Sequence, residues 1–174
     1  MTMAAVDQRR GVDLAIGDLY AAHARGLVRL AWLLLHDEQD AEEVVQDAFV
    51  ALHRRWGRLD DPAAAAAYLR RSVVNGARSA LRRRGVRERY AAALAAERVV
   101  VALSPSDTVV AAEQRDQLVG ALTRLPQRQR EVLVLRYYLD LSEAEIADAL
   151  GISPGSVKTH AHRGLAALRS GQER

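Results

Sequence analysis

Apolar positions in the first third of the chain recur at helical spacing. Between Leu14 and Leu35, the positions Leu19, Tyr20, His23, Leu27, Leu30, Ala31 and Leu34 follow one another at steps of one, three and four, the stripe of an amphipathic helix. The polar run HDEQ at 36–39 interrupts it. Asp40 is expected to cap a second helix over 41–55, with Glu43 completing a capping box. That helix turns Val44, Val45, Ala48, Phe49, Leu52 and Trp56 inward. GRLDD at 57–61 reads as a loop, Asp61 as an N-cap and Pro62 as a first helical residue. A third helix then runs to about Arg84. Leu69, Val73, Ala77 and Leu81 form its apolar stripe, and Arg71, Asn75, Arg78 and Arg82 form a second stripe on another face. Gly85 is expected to end it.

The segment from Gly85 to Asp107 mixes helix-forming YAAALAAERV, β-branched VVV and the turn LSPSD, and reads as a linker with partial helix. A helical pattern resumes at Thr108 and runs to about Arg124. Pro126 opens another helix reaching about Tyr138. Ser142 and Glu145 form a capping box for a short helix ending at Leu150, Gly151 supplies a left-handed cap, and Ser153 caps a last helix with Pro154 in its first turn. The expected fold is therefore all-α: two small helical domains, over 14–85 and 108–170, joined by a linker over 86–107.

The last two helices read as a helix-turn-helix, the second of which enters a DNA groove. Val157, Ala161, Leu165 and Leu168 face inward, where Ile146, Ala147 and Ile152 can meet them. Ser156, Lys158, Thr159, His160, His162 and Arg163 are left outside. A plain helical hairpin in a bundle is the other reading of this pattern, but the LGIS turn and the polar outer face fit a groove reader better. His160 and His162 fall on opposed faces, which suits solvent or phosphate better than a metal. The last helix holds only Lys158, Arg163 and Arg169 as firm cations, and the segment before it carries Asp140, Glu143, Glu145 and Asp148. So few phosphate contacts give weak binding at cellular ionic strength, and the rest of the chain, or a larger assembly, must supply what is missing.

Charge sharpens this picture. The 174 residues carry a formal net charge of +3 and a pI near 9.7, which suits a polyanionic partner. From Asp37 to Asp47 there are six acids and no Lys or Arg; from Tyr68 to Arg89 there are eight Arg and one acid, Glu88. Either block alone could be a solvated helix face. Adjacent blocks of opposite sign suggest two partners, one basic and one a polyanion. With no cysteine, disulfides and thiolate metal sites are excluded and a reducing cytoplasm is the expected location. The N-terminus lacks the apolar stretch of a signal peptide, and AWLLL at 31–35 is too short to span a membrane. Neither a nucleophile–base pair, a metal cluster nor a phosphate loop is legible, so neither an enzyme nor a bound cofactor is expected.

Three stretches together resemble the extracytoplasmic-function sigma factors of bacterial RNA polymerase, the minimal members of the sigma-70 family. DAEEVVQDAFVALHRRW at 40–56 is similar to region 2.2, LRRSVVNGARSALRRR at 69–84 to regions 2.3 and 2.4, and LPQRQREVLVLRYYLDLSEAEIADALGISPGSVKTHAHRGLAALR from Leu125 to region 4. The resemblance implies a factor that binds core RNA polymerase and directs it to promoter DNA, with region 2 opening the strands. By motif match, Glu43, Gln46, Asp47 and His53 would contact the polymerase coiled coil. Arg71, Asn75, Arg78 and Arg82 would lie on the minus-ten element, and Ser156, Lys158, Thr159, His162 and Arg163 on the minus-thirty-five element. A flipped base would be held by the loop at 58–61. Here the chain departs from its relatives, because Tyr68 is the sole aromatic on the following helix, and Trp56 suits the core better than a stacking role. Regulation by an anti-sigma factor is also implied.

Two other classes compete. The stretch REVLVLRYY…EIADALGIS…SVKTH also resembles the DNA-binding domain of stand-alone helix-turn-helix regulators, but the first lobe lacks the α/β pattern of a ligand or receiver domain. A helical adaptor that binds only proteins would have no use for the eight-arginine segment.

Overall fold

The computed structural model describes residues 3–59, 64–92 and 109–172, and all of its regular structure is helical. In chain order the helices are α1 (Met3–Leu35), α2 (Glu38–Arg55), α3 (Ala65–Ala92), α4 (Val109–Arg124), α5 (Gln127–Tyr137), α6 (Glu143–Leu150) and α7 (Pro154–Gln172), with one 3-10 turn at Trp56–Arg58. The Asp61 cap, Pro62 and most of the linker lie outside the described residues. Helices α1, α2 and α3 pack against one another as a first bundle, and α4 to α7 form a second. The first core is Leu27, Leu30, Ala31 and Leu34 of α1, Val45, Ala48 and Leu52 of α2, and Leu69, Val73 and Val74 of α3. The second gathers Leu125, Val132, Leu135, Ile146, Leu150 and Val157. Among the described residues no helix is long and apolar enough to cross a membrane.

The junction of α1 and α2 corrects the expected cap. His36 takes a left-handed φ of 55°, which ends α1 while its N–H still closes onto the Trp32 carbonyl at 2.8 Å. The next residue, Asp37, is extended and is the true N-cap, its carboxylate accepting from the Asp40 N–H at 2.9 Å. Once the chain has reversed at His36, the first extended residue takes the cap, so Asp40 falls inside the first turn. The Asp40–Glu43 capping box cannot form there. Asp40 instead receives the Arg84 guanidinium at 2.7 Å, which also reaches Asp37 at 3.2 Å and the Leu35 carbonyl at 3.1 Å. One arginine of α3 thus satisfies the end of α1 and the start of α2.

Helix α3 also runs past Gly85, its expected end, to Ala92. A glycine inside a helix costs about 1 kcal/mol relative to alanine. Arg87, Glu88 and Ala91, all good helix formers, follow it, and the ladder continues.

The second bundle rests on the first, with α4 and α5 against α1 and α6 against α3. Arg130 donates to the Leu34 carbonyl at 3.1 Å, and the Tyr138 hydroxyl reaches the Gly26 carbonyl at 3.4 Å. His36 sits in this seam with both ring nitrogens buried. Its pKa is lowered from 6.5 to about 4, first by burial and then by the positive charge of Arg130, against an opposing pull from the Val119 backbone and with a further push from Arg84. The folded pKa lies below the unfolded one, so this contribution to stability is complete above about pH 6.5 and is lost as the pH falls towards 4. The expected result is a melting temperature that drops across that window. The drop should be shallower in His36→Asn, which tolerates the left-handed backbone and does not titrate. Melting curves of both chains from pH 7 to pH 4.5 check this; parallel curves would remove His36 as the cause.

Candidate nucleic-acid interface

On α2 the inward positions Val44, Val45, Ala48, Phe49 and Leu52 are buried. Glu43, Gln46, Asp47 and His53 are left exposed on the outer face. His53 is tied to Asp13 of α1 through Nε2 at 2.9 Å. The expected acid face therefore exists as a surface.

The arginine stripe of α3 is arranged differently from a free face. Arg71 and Asn75 are exposed, as is Arg82, which donates to the Ser79 hydroxyl at 2.8 Å. Arg78 is largely covered. Its Nε donates to Glu131 Oε1 at 2.8 Å and one terminal nitrogen to Oε2 at 2.7 Å, a two-pronged pairing, while the other reaches Asn75 Oδ1 at 3.3 Å. Glu131, on α5, is 2% exposed and is the one buried charged side chain among the described residues. Its carboxylate also accepts from Gln127 at 2.8 Å and Arg128 at 3.2 Å. Two turns towards the start of α3, Arg71 pairs with the Asp148 carboxylate of α6 and donates to the Asp148 carbonyl at 3.0 Å, and Arg70 approaches Glu145 at 4.0 Å. Glu131 was not legible in the sequence as a site residue. The hint was an acid set among QRQR and inside the buried run EVLVL.

The aromatics nearby have structural partners. Trp56 is half-buried against the first core, in line with the core role expected of it. Tyr68 is half-buried with the Arg55 guanidinium 5.8 Å from its ring centre. Of the loop at 58–61, Asp60 and Asp61 lie outside the described residues.

The helix-turn-helix has the expected caps. The Ser142 hydroxyl accepts from the Glu145 N–H at 3.3 Å, while the Glu145 carboxylate takes the Ser142 N–H at 2.9 Å. The Ser142 hydroxyl also donates to the Glu145 carboxylate at 2.7 Å, and that bond, followed by the one from the Ser142 N–H, holds the Glu145 carboxyl below its usual range. Gly151 turns the chain with a φ of 62°, a conformation in which a side chain is strained. Ser153 accepts from the Ser156 N–H at 3.2 Å at the start of α7. Val157 and Ala161 are buried, and Leu165 and Leu168 are partly buried. Lys158, Thr159, His162 and Arg163 are exposed, and Ser156 is half-exposed. His160 departs from expectation: it is half-buried, with Nδ1 fully enclosed. Three residues after Val157, it falls beside the inward stripe rather than on the outer face. Lys158 leans on Glu143 at 3.6 Å, and Glu143, bonded chiefly by Arg136, has its pKa lowered. Helix α7 therefore has part of its small positive charge offset by a carboxylate of α6.

Residues 19–87 match the sigma-70 region 2 family and residues 115–168 match sigma-70 region 4. The chain is 37% identical over 143 residues to an RNA polymerase sigma-E factor of Streptomyces avermitilis, covering 82% of this chain and 76% of that one. It is 32% identical over 158 residues to the ECF RNA polymerase sigma factor SigM of Mycobacterium tuberculosis, covering 91% and 77%. Among solved structures, that of CnrH in complex with the cytosolic domain of CnrY superposes with a TM-score of 0.68 at 25% identity, over 95% of this chain and 96% of that one. A region 2 match across the first bundle occupies the place where a stand-alone regulator would carry its sensor domain. With both regions matched in order, on separate bundles, the chain belongs to the sigma-70 family as an extracytoplasmic-function sigma factor, a promoter-directing factor of RNA polymerase.

Proposed function

We propose that the faces described above divide the work of promoter recognition. The region 2 domain, over 14–85, docks on core RNA polymerase through Glu43, Gln46, Asp47 and His53. It meets the minus-ten element through Arg71, Asn75, Arg78 and Arg82 and promotes strand opening there. A linker that begins beyond α3, which runs to Ala92, leads to region 4 over 108–170, where Ser156, Lys158, Thr159, His162 and Arg163 meet the minus-thirty-five element. The chain acts in the cytoplasm, performs no chemistry of its own and is held in check by an anti-sigma partner; the similar CnrH is bound by the cytosolic domain of CnrY.

The observation that carries this reading is the separation of charge on one bundle, with carboxylates outermost on α2 and guanidiniums along α3. A basic protein surface and a polyanion can then be engaged together. Region 4 offers few cations, so it adds selectivity only when polymerase holds both domains on one promoter. Run-off transcription by core polymerase on genomic fragments, with and without the chain, tests the function. A lack of chain-dependent start sites would overturn it.

Arg82 tests the minus-ten face most cleanly, being exposed and engaged locally by Ser79. Arg82→Ala should weaken promoter binding by the holoenzyme and reduce the slope of log K against log salt by about one. An unchanged slope would make Arg82 a solvated charge.

A further inference from the structure

We propose that Glu143 is a positioning residue for promoter selectivity: its carboxylate confines the Lys158 ammonium to one place on the outer edge of α7, so that Lys158 meets a base edge rather than the nearest phosphate. The inference rests on the reading of Lys158 as a contact to the minus-thirty-five element.

Three observations carry it. First, Glu143 is held on one side and holds on the other. Arg136, near the end of α5, donates to its Oε1 at 2.7 Å, and Lys158 of α7 approaches its Oε2 at 3.6 Å. One carboxylate thereby links α5, α6 and α7, each oxygen serving a different cation. Second, the two contacts differ in kind. The Arg136 side chain is 28% exposed and bonds at full hydrogen-bond distance, so it fixes the carboxylate. Lys158 keeps 69% of its side chain accessible, and 3.6 Å is too long for a full hydrogen bond. The ammonium is confined, and its donors stay available to DNA. Third, the anchor itself is set from the backbone. Glu143 is the first residue of α6, directly after the Ser142 cap.

The chemistry of lysine gives this arrangement its use. Lys158 is the only lysine in the chain, every other firm cation being arginine. A lysine is a point charge on a flexible four-carbon stem. Unconfined, it follows the phosphates of any duplex, and those contacts carry no sequence information. Selectivity comes only where the ammonium is held against a base edge, such as guanine O6 and N7. Glu143 supplies the hold that the stem lacks, and Arg136 keeps Glu143 from following Lys158 instead.

The test uses the holoenzyme, on a promoter mapped by run-off transcription and on fragments in which each base pair of its minus-thirty-five element is changed in turn. Lys158→Ala locates the base pair that Lys158 reads, where a discrimination of about tenfold in the parent should be lost. Glu143→Gln and Glu143→Asp should each lower discrimination at that same base pair by about threefold, the scale of an exposed ion pair. Binding to a mixed-sequence competitor duplex should not fall. Glu143→Asp keeps the negative charge but is one methylene shorter, so it cannot serve Arg136 and Lys158 together. Aspartate is favourable at the start of a helix, so this variant keeps the fold. In the Lys158→Ala background neither change at Glu143 should have a further effect on discrimination. Parent-like discrimination in Glu143→Asp would mean that charge acts rather than position, and would overturn the inference. So would a loss that persists in the Lys158→Ala background, or one that is equal at every base pair. Unchanged discrimination in both Glu143 variants, with the loss present in Lys158→Ala, would overturn it while leaving Lys158 on the DNA. No loss at any base pair in Lys158→Ala would instead remove Lys158 from the minus-thirty-five contact, and the inference with it.

Discussion

Asp47→Arg is expected to weaken binding to core RNA polymerase by at least about tenfold while leaving the fold intact, since like charges brought together at an interface cost several kcal/mol. Asp47 is exposed one turn beyond Glu43 and next to Gln46, on the side of α2 opposite buried Val44, Val45 and Ala48. A long polar side chain at an exposed helical position changes stability by no more than about 0.5 kcal/mol, so the penalty falls on the interface alone. The penalty should shrink as salt is raised, because the like charges are then screened from one another. A titration of core polymerase with the labelled chain, paired with circular dichroism, reads both quantities. Equal affinity with normal helicity would take Asp47 out of the docking surface.

The second large effect is structural. Helix α7 crosses α5 at Gly164, where a Cβ would lie 2.9 Å from Leu133 Cδ1, 3.2 Å from Leu133 Cγ and 3.3 Å from Gln129 Cβ. Leu133 is buried, so a shift of its side chain has to be taken up by the atoms packed around it. Gly164→Val adds a Cβ and two further methyls into that contact. Overpacking of this kind costs about 1–3 kcal/mol, and for a chain of this size each kcal/mol lowers the melting temperature by about 2–4 °C. The displaced element is the reading helix, with Lys158, Thr159, His162 and Arg163 just before the crossing. Transcription from promoters that depend on the upstream element should fall further than transcription from those that do not, with polymerase binding preserved. Melting curves and run-off assays on both promoter types check this. An unshifted melting temperature would mean that the α5–α7 contact yields readily.

What could be read from the sequence depended on how far each signal acts along the chain. Ser142 with Glu145, Gly151 and Ser153 are complete within three or four residues, and all formed as expected. The apolar stripe of α3 was legible for the same reason, with Leu69, Val73 and Ala77 buried. The cap of α2 was misplaced because Asp37 and Asp40 are equivalent as residue types. The choice between them is made by the reversal at His36, a backbone state with no reliable signature outside glycine. Gly85 has such a signature, but the helix formers after it outweighed it. The pairing of Arg78 with Glu131 joins residues 53 apart, and that of Arg71 with Asp148 joins residues 77 apart. No periodicity encodes such a contact, so the arginine stripe was found while its occupants were not.

The pairing of Arg78 has a consequence for genetic dissection of this protein. Arg78→Ala removes a guanidinium from the proposed promoter face and, in the same change, takes from the buried Glu131 carboxylate its two-pronged partner, a loss that weakens the fold. A fall in transcription by that variant therefore reports the junction of the two bundles as much as any contact with DNA. A double-mutant cycle with Glu131→Gln separates the two. Arg82, exposed and engaged locally by Ser79, sets the scale against which the result is read.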